Sequence, residues 1–311
     1  MTSKIHDLLH QMQQADKKAL ARCITIVENE LDGFEEILTS LDFKKNIPVI
    51  GITGPPGAGK STLVNSVIKQ LLSQNKKIGI IAIDPTSPFN FGSLLGDRLR
   101  MSEHFTNENV FIRSLATRGS LGGLSAKIIE VVDVMRSFDF DYLFVETVGV
   151  GQSEVEIVGL ADITVLVLVP ESGDEVQTIK SGVMEIADVF VVNKSDRDGA
   201  SAFMKNIIAL VHSRLSPNEG NDVLPGEDGE IPVIKAVATK DDGTDELISA
   251  INKLHKTKLN SKRSYLLTEK AYRLIQNKRM KDIDKISLQA KLIEAVKKPG
   301  FNLYNFVKEI I

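Results

Sequence analysis

The stretch of sequence that decides the fold runs from residue 48 to residue 73 and reads PVIGITGPPGAGKSTLVNSVIKQLLS. Its first six residues are mostly apolar and rich in β-branched side chains, as in a buried strand, and its last twelve carry apolar side chains at helical spacing. Between them lies a glycine-rich turn that ends in Lys-Ser-Thr. Backbone N–H groups of such a turn point toward phosphate oxygens, and the start of a helix adds a favourable dipole. The stretch therefore predicts a strand, a phosphate-binding loop and a helix.

Short apolar runs of the same kind recur along the chain, each bounded by turn residues. They lack polar alternation, which is typical of parallel strands that crossover helices cover on both faces. We therefore predict an α/β fold with a doubly wound, mainly parallel sheet, a P-loop NTPase domain over residues 46–254. Helical spacing before and after it predicts an N-terminal helical extension (1–45) and a C-terminal helical arm (255–311). The further runs are 77–84, 110–115, 141–147, 163–169, 188–193 and 231–237.

The glycine-rich turn is a complete Walker A motif, and each residue type in it has a chemical reason. The glycines let the backbone wrap around the α- and β-phosphates, Lys60 reaches the β- and γ-phosphate oxygens, and Ser61 offers its hydroxyl to Mg²⁺. Lys60 is also a candidate catalytic residue. The predicted nucleotide-binding residues here are Gly54, Pro55, Pro56, Gly57, Ala58, Gly59, Lys60, Ser61 and Thr62.

The tetrapeptide Asn193-Lys194-Ser195-Asp196 ends another apolar run and predicts selection of the base. The Asp196 carboxylate can accept hydrogen bonds from N1–H and the exocyclic amine of guanine, whereas adenine presents an acceptor there. Asn193 is expected to brace neighbouring loops and Lys194 to lie along the base. Small residues at Val237-Ala238-Thr239 would let a backbone N–H approach the guanine O6. We predict GTP and GDP as substrate and product.

Hard oxygen ligands for Mg²⁺ are expected near the phosphates. Asp84 and Glu146 each end an apolar run, so a parallel sheet would bring them to the edge that holds the ligand. Asp97 in GSLLGDRLRM is a third candidate beside Ser61, although any of these acids could instead cap a helix. Glu146 is also a candidate catalytic residue, as is Gln152 in GVGQSE, which could orient the attacking water or bond to backbone.

Composition narrows the function classes. The chain has 311 residues, 25% of them charged, and a single cysteine, Cys23, which excludes an internal disulfide and favours a reducing compartment, the cytoplasm. No apolar run approaches the roughly 18 residues of a membrane span, and the first residues lack a signal-peptide core.

Residues 255–311 are basic, with 14 Lys and Arg against 5 Asp and Glu, but their aromatic residues do not form a pattern that suggests base stacking. We expect neither membrane nor nucleic acid as a partner.

Several further blocks carry a family resemblance: IDPTSPF, FIRSLATRGSLGG, ETVGVGQSE and PESGDEVQTIKSGVMEIAD, in this order with the Walker A and NKSD motifs. Together they resemble the methylmalonyl-CoA mutase-associated GTPases, the MeaB/ArgK group, over roughly residues 15–250. The resemblance implies GTP hydrolysis, a homodimer, and service to an adenosylcobalamin-dependent acyl-CoA mutase through cofactor loading and protection. It also implies a Mg²⁺ site at Ser61, Asp84, Asp97 and Glu146, and a segment that senses the nucleotide and contacts the mutase through Lys180. Asp174 and Glu175 lie in the same charged segment, residues 170–188, whose glycines would permit a switch, although it could instead be a plain connection between a strand and a helix.

Two other functions stay open at this stage. A nickel-insertion GTPase shares the Walker A motif but would need a Cys/His cluster, and only His6 and His10 have the spacing to share a helical face. The family's name has also been linked to a second function, that of an ATP-dependent kinase or transport protein for basic amino acids. Asp196 argues against this function, because its carboxylate would be left without a donor by adenine. The final helices lack the Arg- and Trp-rich pattern expected before a dimerising end, so the dimer geometry is not fixed by the sequence.

Overall fold

The computed structural model consists of two compact units, Met1–Arg263 and Ser264–Ile311. The predicted boundary at residue 255 falls inside a helix of the first unit. The described residues are 2–43, 45–84, 101–116, 127–147, 157–172, 187–215, 231–257, 268, 271–272, 274–276, 278–280, 282–297 and 301–310.

Strands and helices alternate through most of the first unit. The strands are β1 (Val49–Thr53), β2 (Ile78–Asp84), β3 (Val110–Ala116), β4 (Tyr142–Glu146), β5 (Ile163–Leu168), β6 (Val189–Val192) and β7 (Val233–Lys235). The helices are α1 (Thr2–Gln13), α2 (Lys17–Glu28), α3 (Phe34–Thr39), α4 (Lys60–Ser73), α5 (Ile128–Arg136), α6 (Ala200–Leu215) and α7 (Thr244–Thr257), with α8 (Lys285–Val296) and α9 (Leu303–Ile310) in the second unit.

The seven strands form one parallel sheet in the order β3-β2-β4-β1-β5-β6-β7, which confirms the predicted fold class. β1 lies at the centre, between β4 and β5. The connection from β1 leads to β2 on one side of it, and the connection from β4 leads to β5 on the other side, so a crevice forms at the carboxyl ends of these central strands. The glycine-rich loop follows β1 directly and therefore sits at this crevice.

Alternate residues of the central strands face different helices, which is why the apolar runs lack polar positions. In β4, Leu143 and Val145 pack in the cluster that contains α2 and α5. Phe144 packs on the other face, with residues of α4 and α7. Beyond β1, Phe190 of β6 packs against α6. Both faces are thus buried by helices, as a doubly wound sheet requires.

Three aspartates lock the starting edge of the sheet, each directly before a strand. Asp141, Asp162 and Asp188 each donate their backbone N–H to the carbonyl of a residue at the start of the neighbouring strand, at 2.7 to 2.8 Å. Each carboxylate in turn accepts the N–H of that same residue: Asp141 from Lys77 at 2.9 Å, Asp162 from Val49 at 3.0 Å, and Asp188 from Thr164 at 3.0 Å. These reciprocal pairs, which we term the aspartate clamps, satisfy N–H groups that the parallel ladder leaves over. They also fix the register that aligns the carboxyl ends.

The N-terminal helices are part of the core of the first unit. Three helices cover residues 2–39 of the predicted helical extension, and Leu20, Ile24 and Val27 of α2 are fully buried beside α5. An ion pair of 2.5 Å joins Glu28 at the end of α2 to Arg113 of β3. The N-terminal extension is thereby held to the sheet by both packing and charge.

In the described part of the chain, no helix combines the length and the apolar character that a membrane crossing requires.

Candidate nucleotide-binding site

The glycine-rich loop closes around the side chain of Lys60. The ammonium group of Lys60, which is 7% exposed, donates to the carbonyl oxygens of Gly54 at 2.8 Å and Pro55 at 3.1 Å. Lys60 is also the first residue of α4, so its charge sits beside the positive end of that helix. Such an arrangement favours an anion at the mouth of the loop.

Asn193 ties three segments together at the carboxyl edge of the sheet. Its Nδ2 donates to the carbonyl of Ala58 in the glycine-rich loop at 2.8 Å, and its Oδ1 accepts the backbone N–H of Ala238 at 3.1 Å. The side chain is 2% exposed, so both bonds form away from solvent. Gly59 makes room for it, because a Cβ there would lie 2.4 Å from Nδ2. The expected bracing role of Asn193 is consistent with these contacts.

Lys194 makes a second link between the same loops. Its Nζ donates to the carbonyl of Gly57 at 2.8 Å. The residue adopts a left-handed backbone with φ of 55°, which is costly outside glycine. The backbone N–H of the next residue, Ser195, donates to Ala236 at 3.0 Å and holds the turn against β7.

A cavity of about 240 Å³ opens where these segments meet. Every residue predicted for the base-binding part of the site borders it, together with two residues of the glycine-rich loop and the first turn of α4. Its described lining residues are Gly59, Thr62, Asn193, Lys194, Asp196, Arg197, Val237, Ala238 and Thr239.

The Asp196 carboxylate is held by a lysine from the neighbouring loop. Lys240 Nζ lies 3.0 Å from Asp196 Oδ2, and this hydrogen bond holds the pKa of the Asp196 carboxyl below its ordinary value. Asp196 therefore stays an acceptor-only group throughout the neutral range.

A buried hydrogen bond joins Ser61 at the end of the phosphate loop to Glu146. Ser61 Oγ donates to Glu146 Oε1 at 2.5 Å, and the two residues are 9% and 6% exposed. Glu146 ends β4, and Asp84 ends β2 beside it in the sheet. These positions agree with the expectation that parallel strands bring the two acids to one edge.

Several predicted residues lie outside the described part of the chain. Asp97, Gln152, Asp174, Glu175 and Lys180 are among them, and for Asp84 only the backbone is described. Among the described residues, no group of three or more His, Cys, Asp or Glu side chains could hold a metal ion, so they offer no cluster of the kind a nickel site needs.

Two residues, one lining the cavity and one beside it, were not predicted from the sequence motifs. Arg197 lines the cavity and pairs with Glu171, and Lys240 contacts Asp196. Both directly follow a motif that was recognised, Asn193 to Asp196 in one case and Val237 to Thr239 in the other. Adjacency to those motifs was the available signal, but it does not reveal which way a long side chain turns.

A protein-family model described as methylmalonyl-CoA mutase-associated GTPase MeaB matches residues 20–294. The chain belongs to the MeaB family. It is accordingly a GTP-hydrolysing P-loop enzyme, and the predicted GTPase activity is confirmed at the level of the family.

The chain is also similar to two relatives and to one solved structure. A protein of Pyrococcus abyssi named as a GTPase is 47% identical over 275 residues, which cover 88% of this chain and 82% of the relative. The GTPase ArgK of Escherichia coli is 37% identical over 61% of this chain and 59% of its own. The crystal structure of an LAO/AO transport system kinase superposes with a TM-score of 0.66 at 22% identity, covering 99% of this chain and 96% of that one. At that identity, the likeness concerns the fold alone.

Proposed function

We propose that this MeaB-family GTPase binds guanine nucleotide with Mg²⁺ at the cavity beside the glycine-rich loop and acts as a nucleotide-gated chaperone. Its client would be an adenosylcobalamin-dependent acyl-CoA mutase of the methylmalonyl-CoA mutase type, whose cofactor loading and protection it assists. The observation that carries the proposal is the convergence of the glycine-rich loop, the Asn193 turn and the Val237 loop on one cavity. The family's association with methylmalonyl-CoA mutase supplies the client.

The proposed nucleotide site extends along this cavity. Phosphates would lie over the loop from Gly54 to Thr62, where Lys60 would exchange its two carbonyl contacts for phosphate oxygens. The base would reach Asp196, whose ionised carboxylate accepts both guanine donors, while the loop Val237-Ala238-Thr239 brings a backbone N–H other than that of Ala238 toward the guanine O6. A buried amide such as Asn193 is well suited to keep these loops in register, because both its donor and its acceptor are in use.

The residues beside the phosphate loop fit Mg²⁺. A hydroxyl and a carboxylate are the hard oxygen donors that this ion takes, and Ser61 and Glu146 place them 2.5 Å apart. Because Ser61 gives its proton to Glu146, the lone pairs of its oxygen stay available to a cation. We assign Ser61, Glu146, Asp84 and Asp97 to the ion. When bound, Mg²⁺ would neutralise charge on the β- and γ-phosphate oxygens.

For hydrolysis, Lys60 would stabilise the charge that develops on the transferred phosphoryl group. Gln152 would orient the attacking water, and Glu146, the other candidate catalytic residue, would help to hold the ion. The segment with Asp174, Glu175 and Lys180 would report the nucleotide state to the mutase. These assignments follow from the sequence motifs and the family resemblance.

We also propose a homodimer in the cytoplasm. Exposed apolar side chains in the second unit support self-association, among them Val296 of α8 and Tyr304 of α9 at 55% and 80% exposed. For the compartment, the support is the lone cysteine, Cys23, which is buried and has no second cysteine in the chain with which to form a disulfide, as is usual in a reducing compartment.

The test is GTP turnover with and without an adenosylcobalamin-dependent mutase from the same cell. We expect the mutase to stimulate hydrolysis at least severalfold, and we expect ATP to compete poorly with GTP for binding. A wild-type enzyme that hydrolyses GTP but ignores every such mutase would refute the chaperone role and leave the GTPase intact. Binding of ATP as tight as that of GTP would refute the base assignment.

A further inference from the structure

Lys240 lies in a loop next to the proposed base site, and hydrogen bonds hold the backbone of this loop in one conformation. The loop turns through a short 3₁₀ helix at Ala238–Lys240 and then through Asp241 in the left-handed region, with φ of 57°. The backbone N–H of Lys240 donates to Val237 at 2.8 Å, and Val237 in turn donates to Asp242 at 3.1 Å. Thr244 Oγ1 donates to the carbonyl of Asp241 at 3.1 Å. The Cα of Lys240 is therefore fixed, although its side chain is 65% exposed.

The ammonium group reaches Asp196 from outside the cavity. Asp196 borders the cavity, whereas Lys240 is not among its described lining residues. Nζ occupies one lone-pair position at Oδ2, at 3.0 Å. A carboxylate offers about four such positions on its two oxygens, so the group retains acceptor capacity for two further donors. A ligand in the cavity and Lys240 outside it can thus share the carboxylate.

We propose that Lys240 is a positioning residue for base recognition: it holds the Asp196 carboxylate in one orientation, so that both oxygens meet the two donors of guanine. The inference rests on the proposed guanine site. Without Lys240, a side chain that is 43% exposed keeps its freedom about χ1 and χ2, and must lose it when the base binds. The hydrogen bond that lowers the pKa of Asp196 is in line with this role.

Loss of Lys240 should affect the binding of guanine and of hypoxanthine, the base of inosine nucleotides, to different extents. Guanine donates from N1–H and from its 2-amino group, and the two bonds together require one carboxylate orientation. Inosine nucleotides lack the 2-amino group and make one bond, which tolerates more orientations. Loss of Lys240 should therefore weaken GDP more than inosine diphosphate, whereas mere damage to the loop would weaken both equally.

The experiment is calorimetric titration of the full chain with GDP and with inosine diphosphate. For Lys240→Met we expect GDP affinity to fall about three- to fivefold, the range of an exposed charged pair, with a smaller loss for inosine diphosphate. Lys240→Arg, which keeps a donor to the carboxylate, should restore the GDP preference. Lys235→Met removes an exposed lysine from the nearby β7 and should leave both affinities unchanged.

Equal losses for the two nucleotides in Lys240→Met, no loss, or a gain in GDP affinity would overturn the positioning role. An additional arm tests the site on which it rests. If the wild type does not prefer GDP to inosine diphosphate and Asp196→Asn leaves the GDP affinity unchanged, the guanine site itself is misassigned. A wild-type preference that Asp196→Asn abolishes and Lys240→Met preserves would contradict only the role of Lys240.

Discussion

At the scale of single residues, the contact between Ser61 and Glu146 ties the loop that follows β1 to the end of β4. If Glu146 helps to hold Mg²⁺, Glu146→Gln should remove most of the increase in GDP affinity that Mg²⁺ produces, because a neutral amide is a weaker ligand for a hard cation. Affinity measured with EDTA should change little. Titration calorimetry with and without Mg²⁺ measures both quantities.

Glu130→Gln is the matched control for that variant, since Glu130 is a second buried glutamate, 5% exposed, in α5. It should behave as the wild type in both titrations. Equal losses for Glu146→Gln with Mg²⁺ and with EDTA would mean that Glu146 only supports the loop.

Gly59 has no side chain, and this leaves the space that the Asn193 side chain occupies in the site. Gly57 and Gly59 both have positive φ, 76° and 86°, so alanine at either position should cost about 1 to 2 kcal/mol of unfolding free energy. Only at Gly59 would the new Cβ meet Asn193 Nδ2. The free energy of unfolding of Gly59→Ala should therefore fall by a further 1 to 3 kcal/mol, roughly the cost of leaving a buried polar group such as the Asn193 amide unpaired.

Urea unfolding of the nucleotide-free variants measures this difference, with Gly57→Ala as the control for backbone strain. A difference near zero would show that Asn193 can move aside and that its two hydrogen bonds are dispensable for stability.

At the scale of elements, we expect the aspartate clamps to stabilise the sheet. Asp188, 5% exposed, accepts the N–H of Thr164 while donating its own N–H back to Thr164. Asp188→Ala leaves that N–H buried without its acceptor, which should cost about 1 to 3 kcal/mol. Asp188→Asn retains an oxygen acceptor and should cost less.

Asp7→Ala, an exposed position inside α1, is the control and should stay within about 0.5 kcal/mol of the wild type. Chemical denaturation compares all three variants. If Asp188→Ala is as stable as Asp7→Ala, the clamps do not contribute to holding the sheet.

A buried histidine links α4 to the segment before β3 and should make stability depend on pH. His104 is 5% exposed, and its Nε2 lies 2.6 Å from Asn65 Oδ1. Because Asn65 Nδ2 donates to Glu103, its Oδ1 faces the ring as an acceptor, so Nε2 carries the proton in the neutral ring. Burial lowers the pKa of His104, and Lys69 acts in the same direction, whereas Glu103 opposes them.

A folded-state pKa below the unfolded value of about 6.5 means that protonation favours the unfolded chain. The stability tied to neutral His104 is therefore fully present above about pH 6.5 and is lost as the pH falls below it. His104→Gln should be less stable than the wild type at pH 7.5, and the gap should narrow at pH 5.5. Urea midpoints at the two pH values measure the gap, and a gap that stays constant would contradict a depressed pKa.

The elements themselves were largely predictable from the sequence. All seven strands appear where apolar, β-branched runs were recognised, because burial on both faces leaves a continuous signal. The Asn193 turn and the Val237 loop meet at one cavity because strand ends in a parallel sheet share an edge. The contact of Lys240 with Asp196 was not predictable, since periodicity carries no information about the direction of a surface side chain. The aspartate clamps could not be predicted either. The sequence shows only that an aspartate precedes each of three strands, and it does not show which strand lies beside each one in the sheet.

At the scale of the whole molecule, the second unit determines the proposed assembly. Tyr304, 80% exposed on α9, adjoins the polar Asn305 on the same helix. If the apolar face of α9 joins two copies, Tyr304→Asp should shift the protein toward monomer, because it would bury an unpaired charge in the interface. Sedimentation velocity measures the shift.

Asn305→Asp introduces the same charge one residue along and should leave the dimer intact. GDP binding should be unchanged in both variants, since the proposed nucleotide site lies in the first unit. A wild-type protein that sediments as a monomer at all concentrations would contradict the homodimer, and a dimer insensitive to Tyr304→Asp would place the interface elsewhere.

The aspartate clamps sit at the edge where the strands start, and the proposed chemistry sits where the strands end. The length of a five-residue strand, about 16 Å, separates the two edges. The hydrogen bonds expected to stabilise the sheet and the proposed nucleotide site thus involve different residues, so that a lineage entering a hotter habitat could strengthen the starting edge while its active site stays unchanged. For a protein engineer, we expect a library confined to the residues around Asp141, Asp162 and Asp188 to change thermal stability at nearly constant turnover.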